Sequence, residues 1–306
     1  MKSPVALAYA GGMHASAAIP WLADTFGVEV VTVTLDVGQG HELGELRARA
    51  LACGAVRAHV VDARDEFARH VLFPSLFASR PDDEQASIAT LPWPLIARKL
   101  TEIARIEGAG AVAHGSIDPA FDALIHAVDA SMPIVAPARE WTMSSTDLQA
   151  YARERRLPVL LPPAPGCEID ENLWGRRIVW EGADEPTAAR ARVARSHSSQ
   201  PAVVDIHFER RIPTSVNGVP MSPAELIECL SLIGGQHGIG RTSSQTTSSS
   251  HASRHMLQDA PAATILRAAA LEAGESANAD VCLRLADGQY TVLSPSERES
   301  SLVNYA

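Results

Sequence analysis

The sequence is short of aromatic residues, which fill 5% of its 306 positions, and short of cysteine, with four. Cys53, Cys167, Cys229 and Cys282 lie far apart without paired spacing. This points away from a zinc site or a disulfide framework and toward a reducing cytoplasm. Long hydrophobic runs are missing as well. The residues after Lys2 imitate a secretory signal only faintly, because Pro4 and Gly11-Gly12 break the apolar run, and no later stretch is long enough to span a bilayer. A soluble cytoplasmic protein without a membrane partner is expected. Basic residues are also scarce, 26 Lys and Arg against 36 Asp and Glu for a formal net charge of −10. That balance argues against a broad nucleic-acid face, which needs clustered cations, and makes a small molecule the better default ligand.

What is present is enough apolar material for a large core. With 46% hydrophobic residues over this length, two domains are expected, 1–160 and 161–306. In the first, Val5–Tyr9, Val28–Leu35, Ala58–Val61, Ala111–His114 and Ile134–Ala136 read as short buried strands, and Ser16–Thr25, Glu42–Ala52, Leu91–Glu107 and Ser144–Arg156 as helices. The alternation implies an α/β fold, a parallel sheet doubly wound with helices. Ligands of such sheets sit at the carboxyl ends of the strands, where the strand order reverses. Attention therefore falls on Ala10–Ser16, Asp36–Gly40 and Gly115–Asp122.

The stretch AYAGGMHAS at 8–16 runs from a strand through Gly11-Gly12 into a helix, the arrangement that offers backbone N–H groups to a phosphate. Its side chains are unhelpful: Ala10, Met13, His14 and Ala15 stand where hydroxyls or a carboxylate would serve. Taken alone, Gly11-Gly12 is as well explained by a tight strand-to-helix turn.

Beyond about residue 158 the texture changes. Pro158–Pro165, Glu181–Gln200 and the serine-rich Thr242–His255 read as linkers or mobile loops. Between them Ala202–Glu209 alternates as a strand, and Ser222-Pro-Ala-Glu225 opens a helix with a capping box. Asp287-Gly288, flanked by strand-like runs in Val281–Leu293, signals a hairpin. The second domain is expected to be smaller and α+β.

Several stretches together resemble the argininosuccinate synthase family of ATP-pyrophosphatase ligases. AYAGGMHAS is similar to that family's AYSGGLDTS, VTLDVGQG at 33–40 to its VTADLGQG, and AVAHGS at 111–116 to its AVAHGCT. PLIARKL at 94–100, APAREW at 136–141, IDENLWGR at 169–176, LSLIGGQHGIGR at 230–241 and APAATIL at 260–266 follow in family order. The resemblance implies an adenine nucleotide alpha hydrolase-like first domain and ATP with Mg²⁺ as cofactor. The implied activity is the AMP- and pyrophosphate-forming ligation of citrulline with aspartate. It marks Ala8, Tyr9, Gly11, Gly12, Ser16, Leu35, Gln39 and Gly115 as nucleotide contacts.

The departures from the family pattern are concentrated in the substrate positions. Its first serine, aspartate and threonine of the glycine loop are here Ala10, His14 and Ala15. Its TGKGNDQxRFE stretch is matched by Ile117–His126, in which Asp122 survives while Ile117, Phe121 and Ile125 replace threonine, asparagine and arginine. Its YPLxTS segment aligns with Gln85–Thr90, keeping a hydroxyl at Thr90. Glu168 and Arg177 replace serines flanking IDENLWGR, and Thr246 and Gln258 fall where the family has glutamate and tyrosine. Thr90, Asp122, Glu168 and Arg177 are thus remnants of a substrate site or parts of a rebuilt one. Glu168 with Arg177 also reads as a plain ion pair, and His14 with Asp122 as a weak candidate for a metal or acid-base pair. No catalytic residue and no metal ligand is assigned.

Three readings follow. One is a protein with a degenerate site that keeps at most weak adenine-nucleotide binding and acts as a binding partner, for instance of an active synthase. Another is an AMP-forming C–N ligase with altered substrates, using Gln85, Glu168, Arg177 or His14. The third is an unusual synthase of arginine biosynthesis. The family's long helical arm between the helix starting at Thr264 and the final strands shrinks here to the length of a loop. A monomer or dimer is therefore expected in place of a tetramer.

Overall fold

The computed structural model describes residues 3–40, 43–77, 88–159, 167–181, 198, 200–240, 242–246, 253–294 and 296–297. The chain forms two compact units, one from Met1–Asp36, Gly40–Ala63 and Pro92–Pro162, the other from Val37–Gln39, Arg64–Leu91 and Pro163–Ala306.

The first unit is built on five strands, β1 (Val5–Ala8), β2 (Val30–Asp36), β3 (Arg57–Asp62), β4 (Ala111–Ala113) and β5 (Ile134–Val135). They lie in the order β3-β2-β1-β4-β5 and every pairing is parallel. The apolar run of β1 is buried because this strand lies at the centre. Helices α1 (Met13–Phe26) and α2 (Leu43–Ala52) carry the chain outward to β2 and β3. Helix α3 (Trp93–Ile106) returns it across to β4. Right-handed crossovers in opposite directions put α1 and α2 on one face and α3 on the other. The order reverses between β1 and β4, so the β1–α1 turn and the residues after β4 share the edge where α/β sheets bind ligands. Three further helices complete the unit: α4 (Ala120–Val128), the short α5 (Pro137–Glu140) and α6 (Ser145–Glu154).

Helix α1 is fixed by packing. Ala18, Ile19 and Leu22 are fully buried in one cluster with Val5, Leu7 and Val30 of the sheet, and each large aliphatic side chain there contributes about 1.5–3 kcal/mol. Gly27 ends the helix in the left-handed region, its N–H donating to the carbonyl of Ala23.

The second unit is antiparallel. Strands β6 (Cys167–Asn172) and β7 (Gly175–Glu181) join β11 (Thr242–Thr246) and β12 (Ser253–Asp259) in the order β11-β12-β7-β6. Strands β8 (Ala202–Glu209), β9 (Ile212–Val216), β10 (Val219–Pro220), β13 (Ala279–Ala286) and β14 (Gln289–Val292) form a second sheet in the order β10-β9-β8-β13-β14. Asp287-Gly288 turns the β13–β14 hairpin with both residues at positive φ. Helices α7 (Pro223–Gln236) and α8 (Pro261–Ala273) pack on each other. The capping box expected at Ser222 is formed: its hydroxyl accepts from the Glu225 N–H, and the Glu225 carboxylate accepts from the Ser222 N–H.

One expectation is corrected. The serine-rich tract is not a loop throughout, because Thr242–Thr246 pairs with β12 and Ser253–Asp259 pairs with β7 as well. Residues 247–252 lie outside the described residues. A β ladder is bonded through the backbone, which serine supplies as well as any residue, and Met256 and Leu257 bury the apolar surface that anchors β12. The linkers expected over Pro158–Pro165 and Glu181–Gln200 fall mostly outside the described residues, although Glu181 ends β7. Among the described residues no helix is long and apolar enough to cross a membrane.

Candidate functional site

The turn from β1 into α1 exposes backbone. Gly11 has φ +80, a conformation that favours glycine, and Gly12 caps α1 in an extended conformation with no side-chain hydrogen bond. A Cβ added to Gly12 would meet nothing within 4 Å, so the space in front of the helix is open. The first N–H groups of α1 have no intrahelical acceptor, and no acidic residue lies in the first turn. Ala10 and His14 are exposed, with the His14 ring 6.2 Å from that of Trp141.

Beneath this turn lies a buried polar cluster. Tyr9 and Ser16 hold each other through a 3.1 Å hydroxyl–hydroxyl bond, and Ser16 Oγ also donates to the Gly11 carbonyl at 3.4 Å. Burial pushes the Tyr9 phenol up to about 12 and raises the Cys53 thiol beside it, so both stay protonated at neutral pH. Thr34 Oγ1 donates to the Tyr9 carbonyl at 2.9 Å, and the Tyr9 N–H donates to the Val33 carbonyl at 2.9 Å. Ser16 is fully buried. Its hydroxyl therefore braces the turn from inside and is not presented to the open space. Ala8 extends β1 opposite Val33, and Leu35 is buried in β2.

The GQG segment has a structural task of its own. Gln39 Oε1 accepts the Val37 N–H at 2.7 Å, and the Val37 carbonyl accepts the Leu173 N–H at 2.8 Å. At Gly38, φ is +91 and a Cβ would stand 2.7 Å from the Leu173 side chain and 2.8 Å from its backbone nitrogen. Two separated motifs, VGQG and ENLW, thus meet as backbone against backbone.

After β4, His114 is 1% exposed and its Nδ1 accepts the Ser116 N–H at 3.2 Å. The ring proton is therefore on Nε2, which donates to Asp122 Oδ1 at 2.8 Å. Arg139 Nη2 donates to Asp122 Oδ2 at 2.7 Å. Burial lowers the pKa of His114, outweighing the opposing pull of Asp122. Burial also raises that of Asp122, but hydrogen bonding and charge from Arg139 and His114 overcome it and bring it down. Phe121 and Ile125, from the same helix, are buried, and the Phe121 ring packs edge-on at 4.9 Å from His114. Gly115 is exposed, with nothing within 4 Å of an added Cβ.

Two expected pairings are corrected here. The oxygens of Asp122 are taken by His114 and Arg139, so the partner of Asp122 is His114, not His14, because His114 is carried on the neighbouring strand end. Arg177 Nη1 pairs with Asp170 Oδ2 at 3.1 Å and not with Glu168, since Asp170 is the residue directly opposite in the β6–β7 register. Arg177 also lies 3.5 Å from His255 Nδ1, and burial followed by this cation lowers the His255 pKa. Glu168 is exposed on β6, and Thr90 is half-buried in a helical turn. Gln258 is buried and accepts from Arg176 Nε. Gln85 lies outside the described residues.

Sequence reasoning passed over Arg139, although it sits inside the quoted motif APAREW, and over Cys53. For Arg139 the signal was membership of a matched motif after β5. For Cys53 there was none, since a lone cysteine at the end of α2 says nothing of what lies above it. Among the described residues no three His, Cys, Asp or Glu side chains are grouped to hold a metal ion.

Comparison with known proteins bears on this geometry. Residues 4–158 match the profile of the arginosuccinate synthase N-terminal HUP domain, and residues 167–285 that of the arginosuccinate synthase C-terminal domain. An argininosuccinate synthase of Carboxydothermus hydrogenoformans is 38% identical over 78% of this chain and 63% of its own length. That of Anoxybacillus flavithermus is 38% identical over 79% and 63%, and one from Dehalococcoides mccartyi is 35% identical over 89% and 71%. The chain thus spans less than two thirds of the length of the first two relatives.

Proposed function

Starting from the fact that the chain belongs to the argininosuccinate synthase family, we propose that it is a degenerate member. It keeps at most weak adenine-nucleotide binding and lacks efficient ligation of citrulline with aspartate. The observation that carries this reading is the state of α4. Asp122 is spent on His114 and Arg139, while Phe121 and Ile125 are packed into the core. A substrate carboxylate brought there would meet hydrocarbon, and a buried carboxylate without donors costs several kcal/mol.

ATP itself suits the β1–α1 turn. Backbone N–H groups of Gly12, Met13 and His14 would hold its phosphates, in the open space in front of Gly12. Ala8 and Tyr9 lead into the turn, and Leu35 and Gly115 lie on the same sheet edge. Gln39, in the other unit, is assigned to the nucleotide by family resemblance alone. When bound, ATP would supply the adenylyl group that the family's chemistry requires. A protein partner, such as an active synthase, and a monomeric or dimeric state belong to the same proposal.

The test is calorimetric titration with ATP together with pyrophosphate release from ATP, citrulline and aspartate. Weak binding without turnover is expected. Turnover at about 1 per second or faster would mean an active synthase of arginine biosynthesis and would refute the reading. An altered-substrate ligase is favoured by one observation, the meeting of Asp170, Arg177 and His255 on β6, β7 and β12. Pyrophosphate release with another amine and carboxylate or ureido pair would decide for it.

A further inference from the structure

The family's cofactor is ATP with Mg²⁺, and the residues of this chain suit the two unequally. Magnesium takes hard oxygen ligands, commonly one or two carboxylates together with the nucleotide's phosphates. The β1–α1 turn offers none from its side chains. Ala10 and Ala15 have no polar atom, Met13 is a thioether, His14 presents nitrogen, and the Ser16 hydroxyl is fully buried and bonded to Tyr9 and Gly11. Asp122 has both oxygens committed to His114 and Arg139. Of the other carboxylates at this edge, Asp36 and Asp62 face each other across β2 and β3 and are already engaged. Asp118, exposed after β4, accepts the Ala120 N–H through Oδ1 at 2.8 Å and belongs to the β4–α4 segment, not to the turn.

From this we infer that nucleotide binding at the turn does not depend on magnesium. The inference rests on the nucleotide reading above and goes beyond it. A phosphate approaching α1 meets uncapped N–H groups and the positive end of a helix dipole, with no acidic side chain in the first turn to repel it. Where a carboxylate stands in such a turn, a divalent cation is needed to bridge two groups of like charge. Here His14 takes that position, exposed at the mouth of the turn, so there is no repulsion to bridge and no free side-chain oxygen in the turn itself to hold the bridging ion.

The experiment is calorimetric titration of the full chain with ATP, once in excess EDTA and once in excess MgCl₂, on the wild-type protein and on His14→Asp and His14→Ala. The wild-type Kd changes by less than about threefold between the two conditions. His14→Asp loses at least about tenfold in EDTA, equivalent to about 1.4 kcal/mol, and recovers in MgCl₂. His14→Ala, which removes the imidazole without adding charge, stays as insensitive to the metal as the wild type. Titration with MgCl₂ alone gives no binding heat. Wild-type binding that appears only with MgCl₂, or a metal-insensitive His14→Asp, overturns the inference and leaves the nucleotide reading standing. No ATP binding in either condition defeats the nucleotide reading, and the inference with it.

Discussion

Replacing Asp122 by alanine strips two charged hydrogen bonds of unequal worth. The bond from His114 is the costly one to lose, because the imidazole is 1% exposed and its Nε2–H, 2.8 Å from Asp122 Oδ1, has no water to turn to. A buried donor left without an acceptor costs about 1–3 kcal/mol. The Arg139 side chain is 30% exposed, so its bond to Asp122 is replaced by water at a cost of about 0–1 kcal/mol. Asp122→Ala should therefore destabilise the protein by about 2–3 kcal/mol. Asp122→Asn keeps an acceptor for His114 and should cost about 1 kcal/mol. Urea unfolding at pH 7.5 measures both. The pH dependence is a second readout. His114 has a lowered pKa in the folded protein, so stability is full above its unfolded value of about 6.5 and is lost as the pH falls through the folded value. Asp122, also lowered, adds a loss at more acid pH that both variants remove. The Asp122 charge supports the protonated imidazole, so NMR titration of Asp122→Asn should find His114 lower still. A cost below about 0.5 kcal/mol for Asp122→Ala, within the range of ordinary surface changes, or equal costs for the two variants, would refute the reasoning.

Further outcomes are expected elsewhere. Gly38→Ala should cost about 2 kcal/mol or more, since its Cβ meets Leu173 at 2.7 Å and φ is +91; a Tm equal to that of the wild type would deny the contact. Tyr9→Phe and Ser16→Ala should each cost about 1 kcal/mol, and the double variant less than their sum, because they share one bond. Additive denaturation free energies would show that the hydroxyls act apart. Light scattering at micromolar concentration should find a monomer or dimer, since residues 274–278 are all that connect α8 to β13; a stable tetramer would show that no helical arm is needed there.

How much of this was legible in advance depended on the range of the forces involved. Periodicity and turn chemistry placed β1 to β5 and helices α1, α2, α3 and α6 to within a few residues, because burial pattern and capping are local, whereas α4, between β4 and β5, was not read as a helix. The Ser222 capping box and the Asp287-Gly288 hairpin were readable for the same reason: their hydrogen bonds close within a few residues. Family resemblance rested on short motifs in order and survived the loss of individual side chains. The serine-rich tract misled because composition reports what side chains can bury, while its strands pair through their backbones and the burial that anchors β12 comes from Met256 and Leu257, just beyond the tract.

The identity of partners was decided in three dimensions. Asp122, His114 and Arg139 stand on three separate segments, and nothing local to any of them says that one carboxylate will accept from both the imidazole and the guanidinium. Ser16 read as a hydroxyl for phosphate, yet the helix phase turns it inward onto Tyr9. Gly38 read as part of a ligand motif, and the tertiary fold uses it to let Leu173 approach. Sequence alone determined the parallel α/β sheet and the bare glycine turn, since these follow from the alternation of elements and local burial, while the strand order, and with it the switch point between β1 and β4, came from the tertiary fold. Which polar groups remain to meet a ligand was set by packing, because a side chain already bonded in the interior has no hydrogen-bonding capacity left to offer.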